Sequence, residues 1–323
     1  MLSPHDTSIL RHIGISTREI LRKPFLKGIM ETFEAVVALG MFDGVHLGHR
    51  ALMKRLQEEA ERLRAVPVVY TFSNHPLEVL SGNVRLLSDM RERNRMLRSL
   101  GAQQVQSVPF TREMALLSTE QFVDLLMERW DIRGLVVGYN YTCGDHGAGT
   151  PETLKEIGAR RGFSVSVVEP VLFAGESVSS TRVREAVERG DVSLAEQLLT
   201  RRYTLTGIVV QNKRIGRRIG FPTANIEQDP KRAIPPDGVY ATFAFVGGAA
   251  YRAVTNIGTN PSVHGDKLTI ETHLIDFNAD IYGQQLTIAF RKRLRGEAMF
   301  DSLDALKEQI QLDIEAAVAL RDS

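Results

Sequence analysis

Only one cysteine, Cys143, occurs among the 323 residues. An internal disulfide needs two and a thiolate metal cage needs more, so both are excluded. A chain with one thiol fits a reducing compartment, and a cytoplasmic location is expected. Charge of one sign is also lacking. The 40 Lys and Arg residues nearly cancel the 39 Asp and Glu, leaving a net +1. No broad field therefore recruits nucleic acid or an anionic membrane, and neither is expected as a partner, although a basic cluster can still act locally. Long apolar runs are missing too. No stretch approaches the roughly 20 residues that cross a bilayer, and the N-terminus has no apolar core of the signal-peptide kind. Residues 1 to about 30 form a polar, mildly basic lead-in to which no function is assigned. The sequence shows no internal repeat and no low-complexity linker, and it gives no oligomeric state.

What remains is an ordinary globular composition, with 43% hydrophobic and 24% charged residues, over a length sufficient for two domains. Two rhythms divide it. Up to about residue 200, short apolar runs alternate with helix-length segments. Strands are expected at Val36–Leu39, Val66–Phe72, Gln104–Val108, Leu135–Gly138 and Val165–Val168. Helices are expected at 51–63, 91–100, from a Ser118 capping box to Trp130, and at 152–161. This alternation predicts an α/β domain with a parallel, Rossmann-like sheet, whose ligands sit at the carboxyl ends of the strands. Gly40 and Gly138 fall at such ends.

Past residue 200 the strands follow one another without helices. They are expected at 203–210, 238–245, 251–257, 268–275 and 285–290, separated by turns such as Asp237-Gly238 and Gly247-Gly248. That pattern predicts an antiparallel β-barrel. A terminal helix carrying Leu303, Leu306, Ile310 and Ile314 closes the chain. The domains are placed at 1–202 and 203–323, and the second is long enough to fold by itself.

Gly40-Met41-Phe42-Asp43-Gly44-Val45-His46-Leu47-Gly48-His49 follows the first strand and opens a helix. Two imidazoles three residues apart on a first helical turn face the same way. The helix N-terminus adds N–H donors and positive potential, and Gly48 leaves room for close approach. The set suits a nucleoside triphosphate whose α-phosphate gathers charge during displacement. A bare His-x-Gly-His string favours a pair of surface histidines; the preceding strand and glycine turn reverse that preference. Further on, Ser179-Ser180-Thr181-Arg182 starts another helix. Its hydroxyls, N–H groups and guanidinium suit β- and γ-phosphates, and equally an ordinary helix cap.

In the second half, Arg214 to Asn225 is a basic, glycine-bearing loop ending in Gly220-Phe221-Pro222-Thr223-Ala224-Asn225. It lacks the Gly-Lys-Ser/Thr ending of a P-loop. If the segment is extended, Thr223 and Asn225 share a face and offer the hard oxygens that suit Mg²⁺. In Leu268–Leu274, Leu268, Ile270, Thr272 and Leu274 take one face, while Glu271 and His273 take the other. A carboxylate on a stiff strand makes a good general base for an alcohol, but the pattern alone favours a solvent-facing glutamate.

From Val36 to Arg202 the chain resembles the FMN adenylyltransferase module of bacterial bifunctional riboflavin kinase/FAD synthetase, a nucleotidylyltransferase. The resemblance rests on Gly40–His49, Thr71–Pro76, Val137–Asn140 and Ser179–Arg184. Residues 203–323 resemble the riboflavin kinase module. Here it rests on Gly220–Asn225, Pro236–Tyr240, Asn256–Gly258, Glu271–His273, Tyr282-Gly283 and Arg293–Glu297. Three departures stand out: Asn74 where the family has Pro, Tyr141–Gly144 where it has Phe-x-Phe-Gly, and Gly296 where it has Asp.

The resemblance implies phosphorylation of riboflavin to FMN, then adenylylation of FMN to FAD with release of pyrophosphate. ATP, riboflavin, FMN and FAD would be substrates and products, with Mg²⁺ as the metal. It assigns His46 and His49 to catalysis of adenylyl transfer. Gly40, Phe42, Asp43, Gly48, Ser179, Ser180, Thr181 and Arg182 would bind ATP there, with Asn74, His75 and Asn140 near the flavin or nucleotide. In the kinase half it assigns ATP and Mg²⁺ to Gly220, Thr223 and Asn225, the general base to Glu271, and a flavin loop to Arg295 and Glu297. The alternatives are a monofunctional riboflavin kinase with a degenerate first domain and a non-catalytic flavin-nucleotide sensor.

Overall fold

The computed structural model describes residues 33–82, 84–211, 216, 219–260 and 267–321. The lead-in up to residue 32, and most of the basic part of the Arg214–Asn225 loop, lie outside the described residues.

The first half forms around five parallel strands, β1 (Glu34–Leu39), β2 (Val66–Phe72), β3 (Gln104–Val108), β4 (Asp131–Gly138) and β5 (Ser164–Val168), in the order β3-β2-β1-β4-β5. Helices cover the sheet, and buried Val36, Val37 and Ala38 of β1 explain its continuous apolar run. The helices are α1 (Leu47–Leu63), α2 (Pro76–Leu80), α3 (Met90–Ser99), α4 (Arg112–Ala115), α5 (Thr119–Met127) and α6 (Pro151–Arg161). The Ser118 capping box is present as expected, but its helix stops at Met127, short of Trp130. The chain leaves β1 for one side of the sheet and returns through β4 on the other. The carboxyl ends of β1 and β4 are therefore neighbours, with Ala38 opposite Val136. That is the switch point at which such sheets hold ligands.

A small hairpin, β6 (Leu172–Phe173) and β7 (Glu176–Ser177), intervenes after β5 before α7 (Ser180–Glu188) and α8 (Val192–Leu199). Two-residue strands carry no periodicity, so this hairpin is absent from the elements expected from sequence.

The second half is a closed antiparallel barrel, β10-β11-β12-β9-β8-β13. Its strands are β8 (Thr204–Val210), β9 (Ala224–Glu227), β10 (Gly238–Val246), β11 (Ala249–Asn260), β12 (Lys267–Leu274) and β13 (Gln285–Arg295). Strand β9 has no counterpart among the strands expected from sequence, because four residues are too few to show alternation. It pairs with both β8 and β12 and closes the barrel. Helix α9 (Leu303–Ala319) packs on the outside, where Ala317 joins Val239, Ala241 and Val254. Leu268 shares the expected face with Ile270, Thr272 and Leu274 in an unbroken register, but it is exposed where those three are buried.

Helices α7 and α8 pack on each other and on the barrel half. Val183, Val187, Ala195, Leu198 and Leu199 share one apolar cluster with Tyr203, Leu205, Tyr240, Ile288 and Phe290 of the barrel half.

Candidate functional site

The turn after β1 is held in an uncommon backbone conformation. Phe42, Gly44 and Val45 all have positive φ, at 55°, 79° and 48°. A bulky or β-branched residue in that region costs of order 1–3 kcal/mol and persists only when its surroundings fix it. Asp43 supplies the fixing. It is 1% exposed, and its carboxylate accepts from Leu87 N at 3.0 Å, from Ser88 N at 3.1 Å and from Ser88 Oγ at 3.3 Å. Arg184 Nη2 lies 3.4 Å from the same carboxylate.

The turn delivers His46 as the N-cap of α1. Its Nδ1 accepts the His49 N–H at 3.4 Å, which places the ring proton on Nε2. The His46 and His49 rings stack with centroids 3.7 Å apart. Burial lowers the His46 pKa from 6.5 to about 4. Burial, followed by the nearby His46 and Arg93, drives His49 well below 6.5. Both imidazoles are therefore neutral at pH 7 in the unliganded protein. His49 Nδ1 is buried without a hydrogen-bond partner among the described residues, which is costly unless a ligand satisfies it.

The N-terminus of α7 lies beside this turn. Ser180 Oγ donates to the Asp43 carbonyl at 2.9 Å, and a Cβ on Gly48 would come within 3.6 Å of the Val178 carbonyl. Ser179 is the N-cap, accepting from Arg182 N at 3.2 Å, and Thr181 is exposed. Two helix N-termini thus converge at the carboxyl end of β1, an arrangement suited to a polyphosphate.

Not every expected residue reaches a ligand surface. The Phe42 and Asp43 side chains are interior, where they shape the turn. Arg182 is tied to the β6–β7 hairpin, bonding the carbonyls of Phe173 and Glu176 at 3.0 Å and the Glu176 carboxylate at 3.1 Å. Asn74 exchanges two bonds with the Phe110 backbone, at 3.0 and 2.7 Å. Its amide thereby extends the β2–β3 pairing that ends at Phe72 and Val108. His75 caps α2 through Nδ1, accepting from Leu77 N at 3.1 Å. Burial lowers its pKa, while Asp43 and Arg184 lie near enough to oppose one another there. Asn140 is exposed beyond β4, with its Oδ1 3.5 Å from the position a Gly138 Cβ would take. Ser88 and Arg184 were not singled out from sequence. Their partner Asp43 is about 45 and 140 positions away, beyond any local signal.

In the barrel half, Glu271 of β12 lies opposite Asn225 of β9 on one side and Asn256 of β11 on the other. It faces away from the buried Ile270 and Thr272. Thr223 Oγ1 donates to Glu271 Oε2 at 3.2 Å. His273 Nδ1 lies 2.8 Å from the Pro222 carbonyl, which can only accept, so the ring proton sits on Nδ1. These bonds brace the Pro-Thr-Ala-Asn segment against β12 and bring Thr223, Asn225 and Glu271 together as expected. Gly220, at φ 96°, occupies the turn before them.

Glu297 leans over β11. A Cβ on Gly258 would collide with its carboxylate and would lie 3.4 Å from Asn256 Nδ2. Asn256, next to both Glu271 and Glu297, is a site residue the sequence reading did not single out by role. Arg295 turns the other way and forms a bidentate pair with Asp313 of α9 at 2.8–3.1 Å. That pairing docks the helix against the end of β13. No cluster of three or more His, Cys, Asp or Glu residues able to hold a metal occurs among the described residues. A divalent cation at the Thr223 and Asn225 oxygens would draw its remaining ligands from phosphate and water, as Mg²⁺ commonly does.

A family model for FAD synthetase matches residues 29–182, and one for riboflavin kinase matches residues 199–320. The bifunctional riboflavin kinase/FMN adenylyltransferase of Bacillus subtilis strain 168 is 35% identical over 295 residues, covering 89% of this chain and 93% of its own. Its counterpart in Escherichia coli K12 is 37% identical over 282 residues, covering 86% and 90%. A solved structure from Streptococcus pneumoniae, described as a macrolide-efflux protein, superimposes with a TM-score of 0.85 at 31% identity, covering 91% of this chain and 97% of that one. That likeness is one of fold. Among the described residues no helix is long and apolar enough to cross a membrane.

Proposed function

The chain belongs to the bifunctional riboflavin kinase/FMN adenylyltransferase family, and from the geometry we propose which of its residues carry each step. The protein phosphorylates riboflavin to FMN with ATP, then adenylylates FMN to FAD with release of pyrophosphate. Matches to both family models, one in each half, support this over a kinase with a degenerate first domain or a non-catalytic sensor.

The two reactions need different help. In the first, a ribityl hydroxyl must lose its proton to attack the γ-phosphate. Glu271 is the base. The Thr223 hydroxyl fixes its carboxylate, and the strand keeps it rigid. Thr223 and Asn225 hold Mg-ATP, and the metal supplies charge neutralisation on the phosphates. Glu297 and Asn256 line the flavin side. In the second reaction the FMN phosphate is already an anion, so alignment and charge stabilisation suffice. His46 and His49 serve the α-phosphate as neutral hydrogen-bond donors, since burial holds both pKa values below the ordinary range. The N-termini of α1 and α7, with Ser179 and Thr181, hold the remaining phosphates. His75 and Asn140 lie toward the flavin. The division between the activities stays at about Arg202, and the lone thiol fits a cytoplasmic enzyme.

The observation that carries the assignment is the pairing of two built sites: stacked neutral histidines between two helix N-termini, and a threonine-braced glutamate beside Asn225. Incubation with riboflavin and Mg-ATP, followed by chromatography, tests it. FAD is the expected end product. FMN alone, or no conversion, would reject the assignment of both activities.

A further inference from the structure

The two halves are stitched together at one place that also touches the adenylyl-transfer turn. Arg232 lies between β9 and β10 and is 5% exposed. Its Nη2 donates to the Leu87 and Thr204 carbonyls, both at 2.9 Å, and its Nη1 reaches Glu92 Oε2 at 3.3 Å. Beside it, Leu86 N donates to the Lys231 carbonyl at 2.6 Å, and Ala233 N donates to the Leu86 carbonyl at 2.9 Å. The barrel half therefore holds the carbonyls of both the 86–87 and 87–88 peptide units, Leu86 O through Ala233 and Leu87 O through Arg232.

The N–H groups of those same two peptide units point the other way. Leu87 N and Ser88 N both donate to the Asp43 carboxylate. Each peptide unit is thus bonded at its oxygen by the kinase half and at its nitrogen by Asp43. Hydrogen bonds in series polarise one another, and a guanidinium on a carbonyl strengthens the donor at the opposite end of that peptide. Asp43 in turn fixes the positive-φ turn that ends at His46. Ser88 adds a further tie, its Oγ accepting Gly44 N at 3.1 Å.

From this chain of contacts we infer that Arg232, a residue of the kinase half, is a positioning residue for adenylyl transfer. It orients the 87–88 peptide that holds Asp43, and through Asp43 the turn that presents His46 and His49. The inference rests on the reading of that turn as the adenylyl-transfer site. It means that the barrel half completes the first active site without contacting its substrates.

The test uses the full chain and two separate assays, FAD from supplied FMN and FMN from riboflavin. Arg232→Met should lower kcat for adenylylation about 10–100-fold, the scale of a misplaced catalytic group. KM for FMN should stay within about twofold and riboflavin phosphorylation within about threefold of wild type, because the turn acts on the displacement and not on flavin affinity. Arg232→Lys, which keeps the charge but not the fork, should fall between the two. A double-mutant cycle with Asp43→Asn should be non-additive. In the Asp43→Asn background, Arg232→Met should change adenylylation less than about threefold, since residues in one network couple.

Additive effects in the cycle, an equal loss of both activities, or adenylylation unchanged in Arg232→Met would each overturn the inference. Arg232→Lys gives the same reading if Arg232→Met does not fold. His46→Ala is assayed alongside. Full adenylylation in that variant would overturn the site assignment itself, whatever Arg232 does.

Discussion

A neutral imidazole next to a phosphate site has consequences that a charged one would not. His46 titrates near 4 and His49 well below its ordinary value in the folded chain, while both return to about 6.5 on unfolding. Between those limits the unfolded chain binds more protons, so stability rises with pH there and is lost as pH falls from about 6.5 toward 4. For His46 the loss amounts to about 3 kcal/mol. Thermal melts across that window should show a falling Tm, and His46→Asn should flatten the slope. A slope unchanged in that variant would place the titration elsewhere. In the assay, His46→Ala or His49→Ala should slow FAD formation by roughly 10²–10³ and leave FMN formation intact. Glu271→Gln should do the reverse. It preserves shape and the Thr223 contact, so the kinase rate should drop about 10²–10⁴ while supplied FMN is still converted. Near-normal phosphorylation would show that the base is another group. The residues that carry these predictions were legible in the sequence because each sits in a short string with its neighbours. What stayed hidden is that Asp43 and Arg182 spend their polar groups on the protein, since Leu87, Ser88 and the β6–β7 hairpin come to them through the fold.

At the level of elements, Arg295 shows how a charged residue in a recognisable string can serve packing. It ends β13 and pairs bidentately with Asp313, which is 4% exposed on α9. Arg291, on the same strand, donates to the carbonyls of Ala317, Leu320 and Arg321 at the end of that helix. Removing Arg295 strands a buried carboxylate, at a cost of about 3–5 kcal/mol. Arg295→Met should therefore lower Tm by on the order of 10 °C, while KM for riboflavin changes less than about twofold. A large rise in KM with an unchanged Tm would support the flavin-loop role. The five parallel strands and helices α1, α3, α5 and α6 were readable, because short apolar runs alternate with helix-length amphipathic segments there, whereas α2, α4 and α8 were not. The β9 strand and the β6–β7 hairpin were not, since two to four residues cannot display a period. Leu268 shares a face with Ile270 and Leu274 yet is exposed, because alternation assigns a face and only tertiary packing decides whether that face is covered at the end of a strand.

The whole molecule is less divisible than its two rhythms imply. The change of pattern near Arg202 marks where helices stop, but the apolar cluster crosses it. Val183, Val187, Leu198 and Leu199 of α7 and α8 are buried against the barrel half, at 0–1% exposure. Each such side chain contributes about 1.5–3 kcal/mol on burial, so the four together supply ~6–12 kcal/mol, as much as the whole stability of many domains. Arg232 adds a polar stitch to the same junction, since its guanidinium bonds Leu87 and Glu92 on one side and Thr204 on the other. A fragment of residues 203–323 is long enough to fold by the usual measure of length, yet it would expose the face that α8 covers on β13. The expected outcome is that residues 203–323 alone melt well below residues 178–323, or aggregate. The longer fragment should unfold cooperatively and phosphorylate riboflavin without making FAD. Equal melting temperatures for the two fragments would mean that the helices only rest on the barrel. A folded longer fragment without kinase activity would instead tie catalysis at Glu271 to the first half, making the two active sites dependent on each other in both directions.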